Sequence, residues 1–281
     1  MTKELPEHIV AALRRAGGKA DSAGALWEGR DLSASGNPLH DFDNDDGSVN
    51  AHYQGAVDLL VAGECGENAV VQALSQARVF VPIVAELSTE ASGQLGIVSD
   101  KEADMALIWL QAPDGRKALP IFSCVAHMQR WHSDARPVAV YAPRAALSAV
   151  SEGAELLVVD PGSNFTFVVR RPALWALAQQ ASWNPSYEDP DVAILLKAAV
   201  AEESLVNKVI AQPGPGIASR TAAGSVVAGG GPGPELLVWL QLLPGLGAAE
   251  VQKVAARFRE RLASNSCFTE KVDSLEVRLT D

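Results

Sequence analysis

Residues 99–137 read SDKEADMALIWLQAPDGRKALPIFSCVAHMQRWHSDARP and set the architecture. A charged loop, Asp100-Lys101-Glu102, runs into ADMALIWLQ at 103–111, whose apolar content predicts a strand. Pro113-Asp114-Gly115-Arg116 is a turn: proline presets φ, aspartate bonds to nearby backbone, and glycine tolerates positive φ. ALPIF at 118–122 is the return strand of that hairpin. Residues 123–132 predict a short helix, with Ser123 as cap and Val125 and Met128 facing inward. The Ala135-Arg136-Pro137 exit leads into PVAVY at 137–141, a further short strand. Such a run belongs to a mixed sheet with flanking helices, an α/β (α+β) fold.

The pattern continues on both sides. Upstream, residues 5–16 predict a helix stopped by Gly17-Gly18, and the polar stretch 21–50 an irregular arm. Residues 51–77 predict two short helices broken near Gly63-Glu64-Cys65-Gly66, before the β-branched strand RVFVPIVAEL at 78–87. Downstream come a helix at 143–153, strands at 155–160 and 165–170, and a helix at 171–180 with Pro172 in its first turn. WNPSYEDP at 183–190 reads as a linker. A second unit follows: a helix at 189–202 capped by Asp189, then strands at 205–212, 225–229 and 235–243. An amphipathic helix at 247–262 and an alternating strand, SLEVRLT, at 274–280 complete it. The expected organisation is an arm over 1–77, an α/β domain over 78–182 and a smaller α/β domain over 187–281.

The chain has 281 residues, 48% of them hydrophobic, enough to build a sizeable core. Its formal net charge of −11 argues against nucleic acid and anionic membranes, which call for clustered Lys and Arg. Cys65, Cys124 and Cys267 are far apart and form no CxxC pair, so neither a disulfide framework nor a zinc site is expected. The first residues lack the apolar core of a signal peptide, and no run of about 18 apolar residues exists. The expected location is cytoplasmic.

Several stretches together resemble a known family. They are Trp27-Glu28-Gly29-Arg30, Asp45-Asp46-Gly47, Val79-Phe80-Val81-Pro82, Asp100-Lys101-Glu102-Ala103-Asp104-Met105 and Pro113-Asp114-Gly115-Arg116. The set continues through Leu119-Pro120-Ile121-Phe122, Trp131, Ala135-Arg136-Pro137-Val138, Asp160-Pro161 and Arg171-Pro172-Ala173-Leu174-Trp175-Ala176-Leu177. Over roughly 20–185 the chain is similar to the SseB family in its actinobacterial form, named for enhanced serine sensitivity. The resemblance implies an SseB N-terminal-like α/β domain and carries over no catalytic residues.

Chemical motifs are incomplete. Asp41, Asp43, Asp45 and Asp46 have a calcium-loop-like spacing, but Asp46 replaces the glycine such a loop needs, and His52 replaces its bidentate glutamate. A solvated turn, or helix capping by Asp46 or Ser48, fits better. Cys124, near a helix start with His127 three residues on, is a candidate nucleophile; its other reading is a small core residue. GGGPGPE at 229–235 lacks GK[ST], and its two prolines remove backbone donors, so it reads as a flexible hairpin loop rather than a phosphate loop. No GxSxG or HExxH occurs. No catalytic set, metal site or cofactor is expected.

The remaining candidates for an interaction or ligand site are Asp100, Lys101, Asp104, Asp114, Arg116, Trp131 and Arg136. Arginine–carboxylate pairs among them would either fix loop geometry or present a directional polar surface. Trp131 is either core or an interface anchor. The leading expectation is a non-enzymatic regulatory protein with a protein partner. The alternative is an enzyme or a sensor of an amino-acid-like small molecule, with a pocket near 100–136. SLEVRLT as an edge strand leaves a homo-oligomer open.

Overall fold

The computed structural model describes residue 42, residues 45–87 and residues 103–280. The expected helix at 5–16, most of the arm, Asp41, Asp43, Asp100 and Lys101 lie outside the described residues.

Two helices open the first unit, α1 (Ala51–Ala62) and α2 (Glu67–Ser75). The Asn50 side chain caps α1, accepting from the N–H groups of His52 and Tyr53 at 3.0 and 3.1 Å. Asp46 does not cap it, because its carboxylate closes a turn on the Ser48 N–H, 2.9 Å away. Tyr53, Val57 and Leu60 of α1 and Val70, Val71 and Leu74 of α2 face inward. These two helices, expected as part of an arm, pack into the core of the first unit.

Strand β1 (Arg78–Leu87) runs antiparallel between β2 (Ala103–Leu107) and β5 (Arg136–Tyr141). A second sheet has the order β3 (Leu110–Gln111), β4 (Lys117–Ile121), β6 (Leu156–Val159) and β7 (Phe167–Val169). The β4–β6 pair is parallel and its neighbours are antiparallel. Phe80 and Phe122 join the two sheets, each N–H donating to the other's carbonyl at 2.8 and 2.9 Å.

Helices α3 (Val125–Trp131) and α4 (Ala142–Ser151) lie on the crossover from β4 to β6, and α5 (Arg171–Gln179) follows β7. The buried face of α4 is mostly alanine, which lets it approach α5 and the sheet closely. Side chains alternate across the second sheet. Leu119, Ile121, Leu157, Val159, Phe167 and Val169 are sealed against the helices. By the same alternation Ala118, Leu156, Val158 and Val168 point to the opposite face, which no helix covers.

The second unit starts with α6 (Pro190–Val200), capped by Asp189. Its sheet has β11 (Leu236–Leu242) between β8 (Val206–Pro213), antiparallel to it, and β12 (Leu275–Thr280), parallel to it. Helices α7 (Ala248–Ala263) and α8 (Ser266–Lys271) connect β11 to β12. Val254, Phe258 and Leu262 of α7 meet Val238 and Leu240 of β11 in a separate core. Between β8 and β11 the chain makes an excursion, the hairpin β9 (Ala218–Arg220) and β10 (Val226–Ala228), which joins none of the three larger sheets. It reaches across to the first unit, where the Val168 N–H donates to the Gly229 carbonyl and the Ala222 N–H to that of Asn164, both at 2.8 Å.

Several expectations change. The predicted strand 103–111 is two strands, because 103–107 pairs with β1 and 110–111 with β4, and the chain must turn at Ile108-Trp109 to pass between sheets. Cys124, not Ser123, occupies the N-cap position of α3, since the Ser123 hydroxyl is taken elsewhere. Within the linker, Ser186 is buried against Glu235. GGGPGPE is not a free loop but a packed one. Strand β9 and helix α8 were not foreseen. Among the described residues no helix is long and apolar enough to cross a membrane.

Candidate functional site

The uncovered face of the second sheet is the floor of a cleft of about 620 Å3. Leu110, Ala118, Leu156, Val158 and Val168 supply an apolar floor. One wall is the β3–β4 hairpin, whose turn is closed by the Ala112 N–H to Arg116 carbonyl bond at 2.9 Å and by Gly115 at φ 87°. The other wall is β9 with the glycine loop 229–233. That loop is tight: a Cβ on Gly231 would lie 2.0 Å from the Ala218 carbonyl oxygen. The Pro113–Arg116 turn and the glycine loop, which lie far apart in sequence, therefore face each other across one cavity.

Arg170 holds the loop in place. It is 6% exposed, and its guanidinium donates to the carbonyls of Gly216 at 2.7 Å, Gly233 at 3.1 Å and Gly231. A second nitrogen donates to Asp273 at 2.9 Å. The Asp273 side chain is fully buried, and its other oxygen accepts from Arg116 at 2.8 Å. Arg116 also donates to Asp114 at 2.8 Å. Charges thus alternate Asp114, Arg116, Asp273, Arg170, running from the hairpin to Asp273 of the second unit and back to Arg170 of the first. Each buried charge has an opposite neighbour, as a low-dielectric site requires. Burial would raise the Asp114 pKa, but hydrogen bonds from the Arg116 backbone and side chain outweigh it and leave it below the ordinary value.

Behind this chain sits an acidic pair. Glu235 accepts from the Ser186 hydroxyl at 2.8 Å and from the Asp273 N–H at 3.0 Å. Burial pushes its pKa up, against those hydrogen bonds. Glu67 accepts from the Tyr187 hydroxyl at 3.1 Å. Burial, more than the nearby Glu235, raises its pKa to about 7.

A different cluster brings Ser123, His127 and Asp160 together. The Ser123 hydroxyl donates to Asp160 at 2.6 Å and the Ser123 N–H donates to it at 2.8 Å. His127 Nδ1 lies 3.2 Å from Asp160 and 3.5 Å from Ser123 Oγ. In an acyl-transfer triad the imidazole stands between serine and carboxylate and uses both nitrogens. Here the serine proton goes to the carboxylate, one imidazole nitrogen faces both partners, and Ser123 is 3% exposed. The cluster is a structural clamp. It fixes the β4–α3 junction against the turn after β6, where Asp160 has a left-handed φ of 52°. Asp160-Pro161 is among the stretches that carry the family resemblance, but nothing in the sequence links it to Ser123.

The sequence candidates separate. Asp114 and Arg116 line the cleft. Trp131 packs tilted against Phe122 at a ring distance of 5.3 Å, in a small cluster with Phe80 and Met128. Asp104 pairs in register with Glu86, and Arg136 with Ile83, both in the first sheet rather than at the cleft. Arg136 is exposed. Cys124 is partly exposed. Arg170, Arg220, Asp273 and the glycine loop complete the cleft. Their contribution was hidden because it depends on contacts across as many as 157 residues.

Fold and site define a two-unit mixed α/β protein with a ligand-sized cleft where the units meet. Residues 55–176 match the family model described as SseB protein N-terminal domain. Over that stretch the chain is similar to the SseB family. No curated protein and no solved structure matches it.

Proposed function

We propose that this chain is a non-enzymatic cytoplasmic regulatory protein of the SseB family that acts by binding a small molecule in the cleft between the hairpin and the glycine loop. The observation that supports this is the cleft itself. A concave, mostly apolar cavity of about 620 Å3, with a few fixed polar groups at its edge, has the size and make-up of a ligand pocket. Its walls belong to both units, so an occupant would press the hairpin, the loop and the Asp273 junction together, as a sensor requires. The concave shape favours a small ligand over a protein partner. The wiring of Ser123, His127 and Asp160 as a clamp supports binding rather than acyl transfer.

A thermal-shift screen with metabolites, amino acids included, tests the reading. A ligand that binds only the folded protein raises Tm. Val158→Trp, which fills the floor, should abolish the rise. If no metabolite raises Tm, or if the rise persists in Val158→Trp, the cleft is not the binding site.

A further inference from the structure

We propose that the cleft takes an amphipathic anion, its apolar body against the sheet face and a single carboxylate or phosphate against Arg220. This rests on the cleft being the binding site. Three arginines line it, Arg116, Arg170 and Arg220. Asp114 lines it as well, and Asp273 sits behind Arg116 and Arg170. Three cations against two carboxylates leave one positive charge in a chain whose formal net charge is −11. The cleft therefore opposes the sign of the molecule around it and draws anions.

The unmatched charge is Arg220. It stands exposed at the end of β9 and has no ion pair among the described residues. Its guanidinium donates to the Gly224 carbonyl of its own turn at 3.2 Å, which holds it at the cleft wall. A planar guanidinium suits a carboxylate or phosphate through paired, charge-assisted hydrogen bonds. The floor of Leu110, Ala118, Leu156, Val158 and Val168 offers nothing polar from its side chains and selects an apolar body. A zwitterion fits less well. Its ammonium would need a carboxylate, and Asp114, the acid on the cleft wall, is committed to Arg116 at 2.8 Å.

Isothermal titration calorimetry on the full chain decides the matter, with octanoate, octyl phosphate, octylammonium and octanol as probes. At least one anion should bind about tenfold tighter than octanol, and octylammonium should bind weakest. Whether octanoate or octyl phosphate binds tighter identifies the head group. Arg220→Gln should lower anion affinity about tenfold and leave octanol unchanged, while Arg220→Lys should fall between. Arg220 is exposed, so folding should survive both changes. Octanol binding as tightly as the anions, an anion preference that survives Arg220→Gln, or no binding by any probe each overturns the proposal. Val158→Trp separates the two readings. If it blocks octanol while the probes show no charge preference, the cleft stands and the anion proposal falls. If it leaves every probe unaffected, the cleft reading falls with it.

Discussion

Asp160 does more for this molecule than its place in a turn suggests. Its carboxylate satisfies both the N–H and the hydroxyl of buried Ser123, and its left-handed backbone turns β6 toward β7. Asp160→Ala leaves two buried donors without an acceptor and puts alanine at an unfavourable φ. Urea unfolding should show a loss of about 2 kcal/mol. Ser123→Ala removes one donor and keeps the backbone bond, so it should cost about 1 kcal/mol. Glu67 sets a pH dependence. Its folded pKa of about 7 lies above its ordinary value of 4.5, so the folded protein holds a proton that the unfolded chain releases. The Glu67 contribution is therefore greatest at low pH and falls as pH rises through about 7. Burial sets that value; of the groups that face Glu67, Tyr187 and Arg170 oppose the rise and Glu235 and Glu188 add to it. Glu67→Gln should remove this part of the fall, leaving the variant more stable than the parent at pH 8 by urea midpoint. At this scale legibility follows sequence distance. The Asp189 cap could be read because cap and helix are adjacent. Asn50 is hidden among Asp46 and Ser48, because several capping residues stand in a row and only geometry chooses among them.

Among the elements, α4 and α5 were readable because proline near their starts and a buried apolar stripe agree on the same boundaries. The strand 103–111 was not, because its composition stays apolar across a point where the pairing partner changes. The β9–β10 arm was half visible: SVVAG gave β10, while Ala218–Arg220 is too short and too polar to announce a strand. The arm yields a local prediction. Gly231→Ala forces a methyl group into the Ala218 carbonyl and must lift the loop from the sheet. It should destabilise the protein by about 1–3 kcal/mol and speed hydrogen exchange at the Val168 amide, which donates to Gly229. Unchanged exchange at Val168 would mean that the loop is not fixed by that packing.

For the whole molecule, the junction of the two units depends on Asp273. Its two oxygens hold Arg116 and Arg170, so one carboxylate ties hairpin, loop and second unit together. Asp273→Asn leaves two largely buried guanidinium groups short of a counter-charge. Removing one member of such a network should cost about 3–5 kcal/mol. Tryptophan fluorescence should then resolve separate transitions, since Trp175 lies in the first unit and Trp239 in the second. A single unaltered transition would show that the units are held by other contacts. The α/β class of both units could be read from periodicity; their junction could not, because its charges come from segments that look like ordinary solvated loops.

The grip of Arg170 on the glycine loop also says what the matched family stretch can do alone. That stretch, residues 55–176, includes Arg170 but none of the carbonyls or the carboxylate that hold its guanidinium. A fragment ending at residue 182 would keep its helical core and lose its roof. Ala118, Leu156, Val158 and Val168 would meet water as one apolar sheet face, with a stranded cation at its edge. Such a fragment should self-associate in light scattering where the full chain does not. The boundary drawn by sequence similarity thus leaves that apolar face without the cover that Ala218–Arg220 and Gly230–Gly233 provide.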